Sequence, residues 1–452
     1  MSVSTNDRGQ WSSRIGFVLA AAGSAVGLGN IWKFPFITGM YGGAAFVLFY
    51  LISILLIGLP VMLIEFSIGR RTQLNPVGAF RKLAPKGPYF LIGAMGVTVG
   101  FIILSYYSVV AGWTLSYMFK AILGGFKGFS SPEVAGKAFA AFSSNPFWPV
   151  LSHGVFMVLC IVVVSGGVKG GIERGNRILM PTLFIIVLLL IVRGITLEGS
   201  QEGLKFLFKP DFSKLTTDAM LVAMGHAFFT LSLGMGAMLT YGSYLSRDED
   251  LIKSALWIVF ADTAVALMAG VAIFSAVFAM GFEPGAGPGL VFHVLPAIFA
   301  VMPGGFLVGI FFFLLLLIAA LTSGISLLEV VTAYFIDQRG WTRHRATAVF
   351  GFAIFLLGVP SALSFGVLGN IKIFGMILFD FFDYLSFKYM MPLGGLFMVL
   401  FTIFRWKPKN FLEELRKGGP ALKISPRVVT VLLLISALFV GITFVAGILG
   451  KG

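Results

Sequence analysis

Charged side chains are scarce in this sequence. They make up 12% of its 452 residues, about half the ~25% of a soluble domain. That is too little charge for a water-facing globule of this length. Cysteine is scarcer still: Cys160 is the only one, and it sits inside an apolar stretch, which rules out an intrachain disulfide framework or a thiolate metal site. No Ser/His pair, His-x-x-Glu-His or paired-aspartate motif lies within an apolar run, so intramembrane hydrolysis has no support. Asp380 and Asp383 stand close together, but at the outer end of a run. Asp-Gly calcium loops and phosphate-binding glycine loops are absent.

What the chain has instead is apolar surface: 58% hydrophobic residues, 48 of them Phe. A bilayer accepts that excess and water does not. The net charge of +14 would suit a nucleic-acid partner, but the basic residues lie in short loops rather than on one face, so no nucleic acid is expected. Runs of about 20 apolar residues, enough to cross a ~30 Å core, fall at 13–38, 43–69, 88–123, 148–166, 175–196, 217–246, 251–281, 303–337, 343–360, 374–404 and 428–449. They predict an all-α integral membrane protein of about eleven helices in one domain, 1–452. The 124–147 and 197–216 loops are long enough for short surface helices.

Basic residues set the orientation. Arg70, Arg71, Arg81, Lys82 and Lys86 follow the second run; Lys169, Arg174 and Arg177 follow the fourth. Arg339, Arg343 and Arg345 follow the eighth, and Arg405, Lys407, Lys409, Arg416, Lys417, Lys423 and Arg427 the tenth. The loop after the first run has no charge, and that after the seventh only Glu283. A multi-pass cell-membrane protein with a cytoplasmic N-terminus and an outward C-terminus is expected. The N-terminus starts polar, and no cleavable signal peptide is expected.

Two runs carry a Gly-x-Gly at mid-span, Gly27/Gly29 and Gly234/Gly236, each beside hydroxyl or amide side chains. Glycine weakens a helix interior, so both points are predicted to be unwound. Unwound backbone at membrane depth survives only when buried in protein or lining a cavity. Breaks five helices apart suit an inverted-repeat transporter with its site between them; one such pair alone would equally suit close helix packing. Asn30, Thr230, Asp262, Thr322 and Ser323 also lie within apolar runs. A carboxylate such as Asp262 costs at least ~2.5–3.5 kcal/mol in lipid without a partner. No Lys or Arg stands at its depth in the same run. Two readings stay open: a bound hard cation in an all-oxygen site, or a protonated Asp262 hydrogen-bonded in the core.

At these residues the sequence resembles the neurotransmitter:sodium symporter family, in particular its bacterial amino-acid carriers. The resemblance runs from Trp11 to about Arg427. It rests on Gly-Ser-Ala-Val-Gly-Leu-Gly-Asn-Ile-Trp-Lys-Phe-Pro (23–35), Gly-Leu-Pro (58–60) with Glu65 and Gly69-Arg70-Arg71, Phe-Phe-Thr-Leu-Ser-Leu-Gly-Met-Gly (228–236) and Ala-Ala-Leu-Thr-Ser (319–323). The family implies a leucine-transporter-like fold: a five-plus-five inverted repeat, 12–200 and 215–404, with discontinuous first and sixth helices and an extra helix at 428–449. It implies symport by alternating access with two sodium ions. The first would be held by Ala25, Asn30, Thr230, Asp262 and the substrate carboxylate, the second by Gly23, Val26, Ala319, Thr322 and Ser323.

The resemblance also implies a substrate pocket. Tyr107 would meet the substrate carboxylate near Leu28 and Gly29; Ala25, Phe229, Thr230 and Ser232 would hold its ammonium. Ile103, Phe229, Met235, Ser326 and Leu327 would form the side-chain wall, with Ser24 and Ser323 alongside. Amine carriers of the family have aspartate where this chain has Gly27, so a substrate bringing its own carboxylate is expected: an apolar or aromatic L-amino acid. Aromatics in a membrane span usually just pack, and only the motif position lifts Tyr107 and Phe229 above that. Lys33 and Asp383 would close the outer side. Arg8, Asp337 and Trp11 would close the inner side. Gly171 and Pro181 fit the family's Gly-x9-Pro signature, where local unwinding could admit water. His226 stands where relatives have a neutral amide. Asp262 replaces a usual asparagine and Ala266 a glutamate, so chloride is expected to be unnecessary. A proton-coupled carrier remains the alternative, and an ion channel the rival from another class. Monomer and weak dimer both remain open.

Overall fold

The computed structural model describes residues 9–284, 289–419 and 423–449. Among them, nine helices are long and apolar enough to cross a membrane, and the bent pair Arg14–Ala25 and Gly29–Met40 makes a tenth. The expected eleventh, 217–246, is not one helix but two, Thr217–Thr230 and Ala237–Gly242. Each is too short to span alone, so the count of eleven does not follow from length and composition. Among the described residues the regular structure is helical apart from a hairpin pairing Lys372 with Ile377 and Ile373 with Met376. The long loops carry the short helices Pro132–Ser143 and Ser200–Phe208.

Side chains on the outside of the bundle are apolar: Val162, Ile178, Phe260 and Leu438 are each more than 60% exposed. A continuous greasy exterior of this kind belongs against lipid. Inside, glycine lets helices touch. A Cβ on Gly112 would sit 2.6 Å from the His153 amide nitrogen, so Phe90–Ile122 and Trp148–Ser165 cross backbone to backbone.

The two breaks have local causes. Arg14–Ala25 starts at Ser13, whose side chain accepts from the Gly16 amide at 3.0 Å, and ends as Val26 turns extended. The chain restarts as a π-turn at Gly29–Lys33, bent by 48° from the first half. In the second break Ser232, Gly234 and Gly236 all have positive φ, a region glycine enters freely and serine does not. The freed amides of Gly234 and Leu239 donate to the Glu65 carboxylate at 2.8 and 3.1 Å. Glu65 is wholly buried, and it fills the role a helix cap would otherwise play.

On the face carrying the basic loops, Arg70 is no solvated topology marker. It is fully buried, donates to Glu414 Oε1 at 2.9 Å and also binds the carbonyls of Glu249 and Glu414. That ties the end of Ala44–Thr72 to the Pro408–Leu415 helix.

Candidate functional site

The two breaks face each other across the core, and the residues expected at the site gather there. On one side Asn30, Thr230 and Asp262, all buried, bond directly. Asn30 Nδ2 donates to Asp262 Oδ1 at 2.8 Å and to the Asp262 carbonyl at 3.0 Å. Thr230 Oγ1 donates to both carboxylate oxygens, at 3.0 and 3.2 Å. Asn30 Oδ1 turns back to accept the Gly27 amide at 3.0 Å, which pins the break to the carboxylate. Ala25, the last residue of the first half-helix, lines the pocket beside Thr230.

On the other side the unbroken Gly305–Arg339 helix presents its hydroxyls. Thr322 Oγ1 donates to the carbonyls of Ala319 and Val26, at 3.0 and 3.4 Å. Ser323 Oγ donates to the Ser24 carbonyl at 3.1 Å. Gly23 packs against Thr322, since a Cβ there would lie 3.2 Å from the Thr322 Cβ. Carbonyl, hydroxyl, amide and carboxylate oxygens are the donor set of a hard cation, so the residues present fit sodium at both places.

Between these groups lies a cavity of about 30 Å³ lined by Ser24, Ala25, Gly27, Leu28, Gly29, Ile103, Tyr107, Phe229, Thr230, Ser232, Met235, Ser323 and Leu327. Ser326 stands behind it, accepting from Ser24 Oγ at 2.7 Å. Ser232 Oγ donates to the Ser24 carbonyl at 2.7 Å, and the Leu28 amide donates to the Tyr107 hydroxyl at 3.4 Å. None of the lining residues is charged. A ligand with a large side chain would gain room there if one wall re-packed. Met235, an unbranched and adaptable side chain, is the wall best able to do so.

A second, larger cavity of about 350 Å³ opens toward the face away from the basic loops. Leu28, Gly29, Tyr107 and Phe229 line both cavities, so the floor of one is the roof of the other. Lys33 and Asp383 both line the larger one, but no direct ion pair joins them. The Lys33 ammonium lies instead over the rings of Phe387, at 3.4 Å, and Phe229, at 4.8 Å. A compact ammonium without the guanidinium fork settles on aromatic faces.

At the opposite end Trp11 Nε1 donates to the Tyr241 carbonyl at 3.0 Å, and its ring packs edge-on to Tyr241. Asp337 accepts from the Asn75 amide at 2.7 Å and from Asn75 Nδ2 at 3.0 Å. Arg8, the expected partner, lies outside the described residues. The Gly-x9-Pro segment holds a π-turn at Val168–Glu173, so the helix begins at Val168 rather than 175. Sequence reasoning missed Glu173, whose carboxylate accepts from the Ser12 amide at 2.8 Å, the Ser12 hydroxyl and Arg177 at 2.6 Å. It also missed the buried Glu329, which joins Tyr244 and Arg343 at 2.5 and 2.6 Å. A carboxylate inside an apolar run was the available signal for Glu329. His226 is buried against Tyr50, ring centroids 5.3 Å apart.

Interrupted helices meeting around oxygens that fit a hard cation, in a bundle with an apolar exterior, define a secondary transporter. Residues 8–126 and 145–450 match the Sodium:neurotransmitter symporter family, and the chain belongs to it. It is 44% identical over 412 residues to a Bacillus subtilis protein named as the uncharacterised sodium-dependent transporter YhdH, with 91% of each chain covered. It is 38% identical over 415 residues to an uncharacterised sodium-dependent transporter of Haemophilus influenzae, covering 89% of this chain and 91% of that one. The crystal structure of MhsT in complex with L-phenylalanine is 48% identical, with a TM-score of 0.89 over 97% of this chain and 100% of that one. The fold is therefore leucine-transporter-like. The protein is a multi-pass, sodium-coupled membrane transporter and not an enzyme.

Proposed function

We propose that the protein imports apolar and aromatic L-amino acids across the cell membrane with two sodium ions, by alternating access and without chloride. The observation that carries this reading is the uncharged pocket between the breaks, flanked by the Asn30–Thr230–Asp262 cluster on one side and by Thr322 and Ser323 on the other. An ammonium and a carboxylate on one small molecule suit such a pocket: carbonyls at a helix end for the cation, and Tyr107 with the Leu28 and Gly29 amides for the anion. The apolar wall of Ile103, Phe229, Met235 and Leu327 suits an apolar side chain. MhsT, crystallised with L-phenylalanine, supports that class.

In this reading the first sodium is held by Ala25, Asn30, Thr230 and Asp262, and the second by Gly23, Val26, Ala319, Thr322 and Ser323. Asp262 supplies the negative charge that an anion would otherwise bring. Residues 12–200 and 215–404 are the two inverted halves, with the N-terminus in the cytoplasm. Lys33, Asp383 and Phe229 close the outer side; Trp11, Asp337 and Arg8 close the inner side.

The test is uptake of radiolabelled L-phenylalanine and L-leucine into proteoliposomes. Inward sodium should drive accumulation, potassium should not, and replacing chloride by gluconate should leave it unchanged. Accumulation driven by a proton gradient without sodium would overturn the reading.

A further inference from the structure

The helix Val168–Ile195 carries a buried amide that the family motifs do not include. Asn176 is fully buried. Its Nδ2 donates to the Ile172 carbonyl at 2.9 Å, and that bond assigns the two ends of the amide, because only the nitrogen donates. The oxygen is left with no hydrogen-bond partner among the described residues. Nor does it face empty space. A Cβ on Gly23 would lie 2.1 Å from Asn176 Oδ1 and 3.2 Å from the Thr322 Cβ. The absence of a side chain at Gly23 is what lets the amide oxygen come this close.

A buried acceptor with no donor carries a desolvation penalty, and each one in a native structure asks for a reason. Gly23 and Thr322 are two of the five residues assigned above to the second sodium. An amide oxygen is a good ligand for a hard cation. We propose that Asn176 Oδ1 is a further oxygen ligand of the second sodium, on the side of the site nearer the basic loops. The inference rests on the second-site assignment under the proposed function.

The position has a directional meaning. Asn176 lies three residues beyond Glu173, ~4.5 Å of helical rise. The Glu173 carboxylate is already bonded to Ser12 and Arg177 at the edge of the bundle. The segment between Gly171 and Pro181 thus sets an amide oxygen against Gly23 and a carboxylate against Gly16, two turns apart on the first half-helix.

The test uses the full-length protein in detergent. Asn176→Leu keeps the side chain's size and removes the oxygen; Asn176→Asp keeps an oxygen. Two readouts are needed: the sodium concentration giving half-maximal protection against thermal unfolding, and the melting temperature in potassium. Asn176→Leu should raise the half-maximal sodium concentration by about fivefold or more, the worth of one polar contact. Its melting temperature in potassium should change little, because the unsatisfied acceptor goes together with one bond to the Ile172 carbonyl. Asn176→Asp should keep or lower the half-maximal concentration. An unchanged sodium curve in Asn176→Leu, with the curve lost in Thr322→Ala/Ser323→Ala, overturns this proposal and leaves the second site standing. An unchanged curve in both variants overturns the second site and the proposal with it.

Discussion

The Asn30 side chain bridges a helix break and a carboxylate: Nδ2 donates to Asp262 Oδ1 at 2.8 Å while Oδ1 accepts the Gly27 amide at 3.0 Å. One amide therefore sets the position of the unwound backbone relative to Asp262. Any change in charge at Asp262 is felt at the break.

Asp262→Asn is expected to weaken sodium binding at least ~10-fold, since it removes a full charge next to the cation at low dielectric. Tyr50 and Thr230 remain nearby, so added chloride is expected to restore part of the activity in this variant. The measurement is uptake in gluconate and in chloride for both proteins. Wild-type transport that needs chloride would refute the balancing role of Asp262.

Thr322→Ala combined with Ser323→Ala removes two adjacent hydroxyls that reach the carbonyls of Ala319, Val26 and Ser24. Sodium-stimulated substrate binding is expected to disappear while the protein still extracts as a folded monodisperse species. Sodium-driven uptake at the wild-type level would remove these residues from the ion site.

Gly27→Asp puts a carboxylate where the substrate's own is expected. A Cβ there would already lie 2.5 Å from Ser323 Oγ and 3.3 Å from the Tyr107 hydroxyl. Like charges a few ångströms apart in a dry site repel by several kcal/mol, so amino-acid binding should fall by a factor of ~100 or more. Gly27→Ala separates the steric part from the charge and should cost far less. Equal losses in the two variants, by scintillation proximity binding, would show that charge plays no part.

Glu65→Ala strands the buried amides of Gly234 and Leu239. Each lost bond to a charged group costs about 1.5–3 kcal/mol, so a drop in melting temperature of several degrees is expected. Glu65→Gln, which keeps an acceptor for one amide, should fall between. An unchanged melting temperature in Glu65→Ala would mean that the break at 231–236 holds itself open.

Much of this was legible in the sequence, for identifiable reasons. Glycine pairs and isolated polar residues in apolar runs have few explanations at membrane depth, so Gly27, Gly29, Asn30, Asp262 and Thr322 stood out before any coordinates. Their meeting at one place depended on the fold. The sixth span was harder: Gly234 and Gly236 marked its break, but hydropathy alone does not register that Ser232 also turns the chain through positive φ and leaves two helices too short to span. Glu173 and Asn176 were hidden because they follow a basic loop, where a polar residue looks ordinary. Lys33 and Asp383 share a cavity without touching, a distinction that spacing along the chain does not encode.

The tight pocket shares Leu28, Gly29, Tyr107 and Phe229 with the wide cavity beyond it, and this shapes the electric field. Water entering the wide cavity would carry the bulk potential down to that shared floor, and the voltage across the membrane would then fall mainly over the protein beneath. A cation arriving from the wide side crosses little of that drop before it binds. Leaving toward the basic loops, it crosses nearly all of it, at ~2.3 kcal/mol per charge for every 100 mV. A potential negative on the basic-loop side thus acts on release far more than on capture.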